Sequence, residues 1–479
     1  MILLLLSILF PLVFGAFVIG RRGGRVGMLA LAGGGVSLLI NLATVLFARG
    51  GVSIDVGTFR FALELDSLPR MLMALAPALF LLTFVFLLDT GKNDTKRARL
   101  FGFFFLTLGA LNAVYASANL LTFYMFFEIV SLLSFPLVLH NGTERARRAA
   151  LIYIGFSFTG TALVLGGMKL AGMEAIEAFT AGGVALSEPH NQLAFLLIAL
   201  GFGCKAGLYP LSAWMIPASN ESPVSVGALL SGVVAVMGVL GIVRVSYQVF
   251  GAALLSGGWA QTVLISLACL TALMGAMLAY REPVLKKRLA YSSISQLACA
   301  LIGFLTFTEL GFIGGVLQVF FHACAKSGLF FSAGVVQEQT GFLRVSEFKG
   351  VGRDMPLTMG CFTLLSLSVI GLPPFSGFAA LWELGRGALA FGGTLGRLCV
   401  ASMLLSALLS AGAFLPIAAD AFFPGKDFFA CVVGPRTVGW RAMVPILILL
   451  AAVLVFGVFP GVFSGVGERL FTTIGGGLS

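Results

Sequence analysis

Apolar runs of about twenty residues follow one another along almost the whole chain, separated by short polar breaks, and that length is what an α-helix needs to cross a bilayer. The runs predict fourteen helices, with approximate cores at 2–20, 28–48, 70–89, 100–118, 120–139, 149–171, 193–213, 223–247, 261–280, 285–307, 311–336, 356–390, 398–419 and 443–465. The twelfth run is too long for one plain helix and contains GLPPFSG (Gly371 to Gly377), so Pro373 and Pro374 predict a break in mid-membrane. The seventh run is similarly interrupted near Leu208-Tyr209-Pro210. Breaks at matching places five helices apart are the pattern of inverted repeats whose freed backbone lines a wet cavity. For Pro210 taken alone, a simple proline kink serves as well.

These features divide the chain into residues 1–99, three helices with an outer-face hairpin; 100–250 and 251–422, the two five-helix repeats; and 423–479, the fourteenth helix. The hairpin expectation comes from GVSIDVGTFRFALELD (Gly51 to Asp66), which alternates with period two. Glu174 to His190 is polar enough for a surface loop. The opening MILLLLSILFPLVFGAFVIG has no basic residue ahead of its apolar stretch, and the basic cluster follows it, so it reads as a retained helix rather than a cleaved signal.

Composition removes whole classes of function. With 59% hydrophobic and only 10% charged residues, and a mean hydropathy of +1.04, the chain is a polytopic all-α membrane protein with no soluble domain. The net charge of +10 is distributed as topology: Arg21, Arg22 and Arg25; Lys92, Lys96, Arg97 and Arg99; Arg145, Arg147 and Arg148; Arg281, Lys286, Lys287 and Arg288; Arg344, Lys349 and Arg353; and Lys426, Arg436 and Arg441 all fall in alternate loops. The positive-inside rule then places both termini outside the cytoplasm, and no nucleic-acid partner is needed to explain the charge. Lys286, Lys287 and Arg288 read as topology signals and as contacts for lipid head groups or a neighbouring subunit. Seven cysteines stand singly, without the spacing of a zinc or iron–sulfur site, and read as small packing residues.

Chemistry is concentrated in charges buried inside apolar runs. Glu128 lies within LLTFYMFFEIVSLLSFPLVL and Lys205 within FLLIALGFGCKAGLYPLSAW, where an ionisable group costs several kcal/mol and is ordinarily functional. The bland alternative is a salt bridge that fixes helix packing, although buried pairs stabilise poorly compared with apolar residues of the same size. Arg244, near the outer end of helix eight, reads as a residue that snorkels. Ser292, Ser293 and Ser295 read as packing residues or as the lining of a water path.

Four ordered blocks go further: GFGCKAGLYPLSAWMIPASNESPVSVGALLSGVV (Gly201 to Val234), VLKKRLAYSSISQ (Val284 to Gln296), HACAKSGLFFSAG (His322 to Gly334) and GLPPFSGF (Gly371 to Phe378). They resemble the signature blocks of the antiporter-like subunits found in respiratory complex I, membrane-bound hydrogenases and Mrp-type sodium/proton antiporters. The resemblance implies that the helix-five glutamate of the family falls on Glu128, its helix-seven lysine on Lys205 and its helix-eleven lysine on Lys326, with His322 one turn before it. In that family such groups form a hydrated charged axis that relays protons along the membrane midplane. Three positions depart from the family pattern: Val236 and Leu381 stand where lysine or glutamate is common, and Gln296 where histidine is common. Glu383 is the nearest substitute for the missing helix-twelve charge, on a different face.

The resemblance implies an ion-translocating subunit, for protons or for protons and sodium, of a complex I-like or membrane-bound hydrogenase assembly. Flavin, iron–sulfur or nickel–iron groups belong to partner subunits and none to this chain. Its partners are membrane lipid and the other membrane and peripheral subunits. The location implied is the cytoplasmic membrane of a prokaryote. Two alternatives stay open: an Mrp-type sodium/proton antiporter subunit, and a scaffold subunit that has lost conduction, motivated by Val236 and Leu381. His322 reads either as a relay group or as a partner for exposed backbone at a broken helix.

Overall fold

A computed structural model describes residues 1–21, 25–57, 59–92, 94–172, 179–180, 182–183, 190–425 and 438–474. Arg22, Lys426, Arg436, Cys431 and most of the Glu174 to His190 loop lie outside the described residues. The chain opens with α1 (Ile2–Ile19) and α2 (Val26–Phe47), continues through an antiparallel pair β1 (Val52–Val56) and β2 (Phe59–Leu63), and then becomes wholly helical. There follow α3 (Ser67–Thr90), α4 (Arg97–Ala116), α5 (Leu120–Val138), α6 (Glu144–Ala171), α7 (Asn191–Ala206) and α8 (Met215–Glu221). Next come α9 (Val224–Val249), α10 (Trp259–Arg281), α11 (Leu285–Leu305), α12 (Glu309–Thr340), α13 (Pro356–Ile370), α14 (Ser376–Phe391), α15 (Gly393–Phe422), α16 (Trp440–Val458) and α17 (Gly461–Ile474).

Among the described residues, 13 helices are long and apolar enough to cross a membrane, with Asn191–Glu221 taken as one interrupted span. The protein is an integral membrane protein. The twelfth apolar run is two shorter helices, α13 and α14, rather than one span. Its break and the one after α7 are built alike. Gly207 and Leu208 both donate their backbone N–H to Gly203 O, and Gly371 and Leu372 both donate theirs to Leu367 O. The two glycines sit at φ +90 and +88, where only glycine is unstrained, and each is followed by Leu-X-Pro. The last run differs from expectation: α16 stops at Val458, Pro460 follows, and α17 is a separate helix against α12, with Gly467 facing Ile313. Apolar residues on both sides of Pro460 hid that boundary from the hydropathy pattern.

The hairpin forms in the register Val52↔Leu63 to Val56↔Phe59. It is tied to the bundle where α4 meets α5: Glu64 N donates to Ala116 O at 2.6 Å and Asn119 Nδ2 to Arg60 O at 2.6 Å. Asn119 also caps α5 through Thr122 N at 2.8 Å. On the opposite end of the bundle lie the basic loops.

Burial sorts the helices into layers. Every residue of α9 in the most apolar window is buried, as is 94% of the corresponding windows of α11 and α12, against 33% for α1 and α2. A helix apolar all round belongs at the centre of a bundle, and α9, α11 and α12 form that centre. Polar residues on these three helices are therefore shielded from lipid and bond within the protein.

Candidate functional site

Lys205 is in the last turn of α7, next to the Gly207 break, and is 2% exposed. Its ammonium has a complete set of acceptors: Ser131 Oγ at 2.9 Å from α5, and Tyr153 OH at 2.7 Å and Ser157 Oγ at 2.8 Å from α6. It also lies 4.0 Å from the centre of the Tyr153 ring and 5.3 Å from that of Trp214. Trp214 is held by its own indole N–H, which donates to Cys204 O at 2.8 Å. Glu128 is one turn before Ser131 on α5. It feels the charge of Lys205 and lies beside the Thr161 hydroxyl, but it forms no ion pair with Lys205 within 4.0 Å, and its Oε2 is buried without a hydrogen-bond partner. The pair expected from the sequence is thus not in direct contact: hydroxyls hold Lys205, and Glu128 acts on it through the field.

The sequence reading passed over Ser131, Tyr153 and Ser157. Their signal was present: Tyr153, Ser157 and Thr161 recur every fourth residue, so they line one face of α6. Each is unremarkable singly, since hydroxyls in membrane helices usually bond backward to their own helix, as Ser157 and Thr161 also do.

Lys326, at the middle of α12, is fully buried. Its Nζ donates to Ser292 Oγ and to Leu289 O of α11, and it faces the Phe414 ring at 5.6 Å. His322, one turn earlier, is 4% exposed, and neither ring nitrogen has a hydrogen-bond partner of good geometry. It lies against the Ser231 backbone of α9, where Leu230–Val234 winds as a π-turn. Such turns expose backbone groups that a regular helix uses internally. Gly232 in that turn lets α9 approach Ser327 and Ala323 of α12.

The serine-rich segment of α11 packs beside the α7 break and bonds the Lys326 site. Ile294 packs on Gly207, just past Lys205, and Ser292 bonds Lys326. Ser293 bonds Ser231 of α9 at 2.6 Å, and Ser295 bonds Ser406 of α15 at 2.6 Å. Gln296 donates to Val369 O at 3.2 Å, beside the α13 break, and accepts from Gln318 Nε2 at 2.5 Å. Gln318, His322 and Lys326 lie one turn apart on α12, so the Gln318–Gln296 amide pair continues the polar line beyond His322.

Other candidates sit apart from this line. Val236 is 2% exposed and faces an apolar cleft with Leu68, Val239, Val316 and Val319. Leu381 covers Gly371 at the break. Glu383 pairs with Arg386 on its own helix at 3.1 Å. Pro210 and Pro374 each occupy the residue after a cis peptide bond, and Pro373 precedes the second. Arg244 does not snorkel. It is 1% exposed and donates to Asp66 at 2.9 Å, Gln248 at 3.1 Å and Tyr115 O at 3.3 Å. Lys286 is also buried, with Nζ donating to Asn220 O at 2.8 Å and Ser222 O at 2.7 Å, so it faces inward and not toward lipid. The six described cysteines are buried and unbridged.

Residues 117–416 match the family described as NADH:quinone oxidoreductase/Mrp antiporter, transmembrane. The chain is 30% identical to NADH-quinone oxidoreductase subunit 13 of Thermus thermophilus over 99% of its own length and 100% of that protein. It is 32% identical to NADH-quinone oxidoreductase subunit N of Desulforudis audaxviator, over 77% of this chain and 76% of that one. A chain of the archaeal membrane-bound sulfane sulfur reductase shares the fold, with a TM-score of 0.85 at 23% identity over 98% of this chain and 97% of that one. The match spans both lysine sites and both helix breaks, and the chain belongs to the NADH:quinone oxidoreductase/Mrp antiporter transmembrane family.

Proposed function

We propose that the chain is a proton-translocating subunit of a multi-subunit, energy-converting membrane oxidoreductase of the complex I-like or hydrogenase type. One observation carries this reading: two fully enclosed lysines, Lys205 and Lys326, have hydroxyls and backbone oxygen as hydrogen-bonding partners and no carboxylate in direct contact. A carboxylate in contact would pin the ammonium charge. A hydroxyl accepts from an ammonium and donates to a neutral amine, so its cage tolerates both states of the lysine. Glu128, near enough to act through the field but not to clamp, can then retune Lys205 when either group moves. His322, Gln318 and Gln296 extend the line toward the second helix break.

The basic loops face the cytoplasm of a prokaryotic cell and both termini face outward. Residues 100–250 and 251–422 act as inverted repeats, which the matching hydrogen bonds of the two breaks support. Glu383 remains a secondary group at the surface of the second repeat. Redox groups, whether flavin, iron–sulfur or nickel–iron, reside in partner subunits that drive the relay. The test is Lys205→Ala and Lys326→Ala in the assembled complex reconstituted in vesicles. Each abolishes proton translocation while the complex still assembles; unchanged pumping in both overturns the reading.

Val236 favours a second reading, a scaffold without through-conduction, because its apolar cleft holds no group able to carry a proton. The lysine variants decide between the two. Transport that stops when sodium is withdrawn would instead assign the chain to the sodium/proton antiporter type.

A further inference from the structure

Cys269 of α10 and Cys399 of α15 face each other with their sulfurs 3.7 Å apart. The two helices run parallel, since farther along both Tyr280 of α10 reaches Gly412 of α15. Cys269 stands midway between Trp259 and Arg281, the ends of α10. At about 1.5 Å of rise per residue the thiols are roughly 15 Å from either end, at hydrocarbon depth.

The two thiols are not equivalent. Cys269 is 8% exposed and lines a groove of about 570 Å³, whereas Cys399 is fully buried behind it. Leucines 273, 395, 398 and 405 supply most of the groove wall, and no charged residue lines it. Leu398 and Leu405 are exposed, so the groove opens on the surface that meets acyl chains. An apolar reagent in the lipid therefore meets Cys269 first and finds Cys399 in contact with it.

The same two helices clasp the Lys326 site. Gly275 lets α10 approach the backbone of Ser295 on α11, and Ser406 of α15 bonds the Ser295 hydroxyl at 2.6 Å. One turn before Ser295, Ser292 bonds Lys326, and Phe414 of α15 faces the ammonium. Cys269 and Cys399 precede Gly275 and Ser406 by about two turns each. A bond between the sulfurs would therefore fix the gap in which α11 sits.

We propose that Cys269 and Cys399 form a redox-modification site whose oxidant is the hydroperoxide of a lipid acyl chain, and that the resulting disulfide locks α10 to α15 and slows the Lys326 half. The Cys269 sulfur attacks the terminal peroxide oxygen. The O–O bond breaks, the thiol proton passes to the departing alkoxide, and Cys269 becomes a sulfenic acid. Cys399 then attacks that sulfur, the S–S bond forms, and hydroxide leaves with the Cys399 proton as water. Two thiols lose two electrons and one hydroperoxide gains them, giving one disulfide, one alcohol and one water. The slowing rests on the translocating role proposed above; the chemistry does not.

The assembled complex in vesicles is treated with cumene hydroperoxide, or with hydrogen peroxide at the same concentration, then denatured, alkylated and digested. Mass spectrometry finds the Cys269–Cys399 disulfide in several-fold higher yield with the apolar probe. Equal yields overturn the route through lipid, and no disulfide with either overturns the site. Cys399→Ser leaves Cys269 as a sulfenic acid that dimedone labels; label on other cysteines alone overturns the order of attack. Proton translocation per turnover falls several-fold in the oxidised parent, recovers with tributylphosphine, and is untouched in Cys269→Ser. A disulfide with unchanged pumping, or an equal loss in Cys269→Ser, overturns the lock and leaves the relay standing. Normal pumping in Lys326→Ala overturns the relay while the disulfide stands.

Discussion

The Lys205 ammonium donates to the Tyr153 phenol over 2.7 Å and lies 4.0 Å from the centre of the same ring. One side chain thus supplies both an acceptor and an aromatic face to a charge that has left water. The phenol is in turn 2.5 Å from the Ser134 hydroxyl, so the cage continues along α5. Tyr153→Phe separates the two contributions, because the ring remains and the oxygen goes. A hydrogen bond to a charged group is worth about 1.5–3 kcal/mol. The expected outcome is normal assembly with proton translocation reduced several-fold, measured with a pH-sensitive dye in vesicles; Tyr153→Leu, which removes the ring as well, is worse.

The two helix breaks share their hydrogen-bond pattern but not their surroundings. A β-carbon on Gly207 would meet Met215 and Ile294 at 3.4 and 3.5 Å, ordinary contact, whereas one on Gly371 would run into the end of the Leu381 side chain. Both substitutions by alanine force a left-handed backbone on an L side chain, at a cost of about 1–3 kcal/mol. Gly371→Ala must also displace Leu381. Thermal denaturation of the purified complex should therefore rank Gly371→Ala as the more damaging of the two.

How much of this was legible follows from the range of each signal. Span lengths, the hairpin and both breaks were readable because period, run length and proline placement are local. The cage around Lys205 was not, since its oxygens come from two other helices and each is a common membrane-helix residue. Arg244 misled for the same reason: at a helix end it reads as a snorkelling residue, and its partner Asp66 is 178 positions away. Glu383 was the reverse case, because its partner Arg386 is only three residues on.

Arg244 and Asp66 give a test of that buried pair. Removing one partner of a buried, hydrogen-bonded ion pair costs about 3–5 kcal/mol because the other charge is stranded, while replacing both with apolar residues can be close to neutral. Asp66 is about one-third exposed at its side chain, so water moderates its half of the effect. Arg244→Leu is expected to be milder than Asp66→Leu, which leaves the 1%-exposed guanidinium unpaired. The double variant should recover part of the loss. Assembly yield and denaturation midpoint of all three measure this.

Val236 poses the sharpest question about conduction, since the resemblance read from the sequence leads one to expect a lysine there. In this chain the side chain is 2% exposed and its cleft is lined by Leu68, Val239, Val316 and Val319. An ammonium put among these groups finds no acceptor, and an unpaired buried ion carries a penalty of several kcal/mol. Val236→Lys is therefore expected to lower assembly and the denaturation midpoint without raising proton translocation, while Val236→Met, apolar and adaptable, is tolerated within about 1.5 kcal/mol. Lys326 is held instead by Ser292 of α11, so Ser292→Ala should slow translocation where Val236→Met does not. Normal assembly and faster pumping in Val236→Lys would show that the cleft admits water and that the midplane route runs through α9.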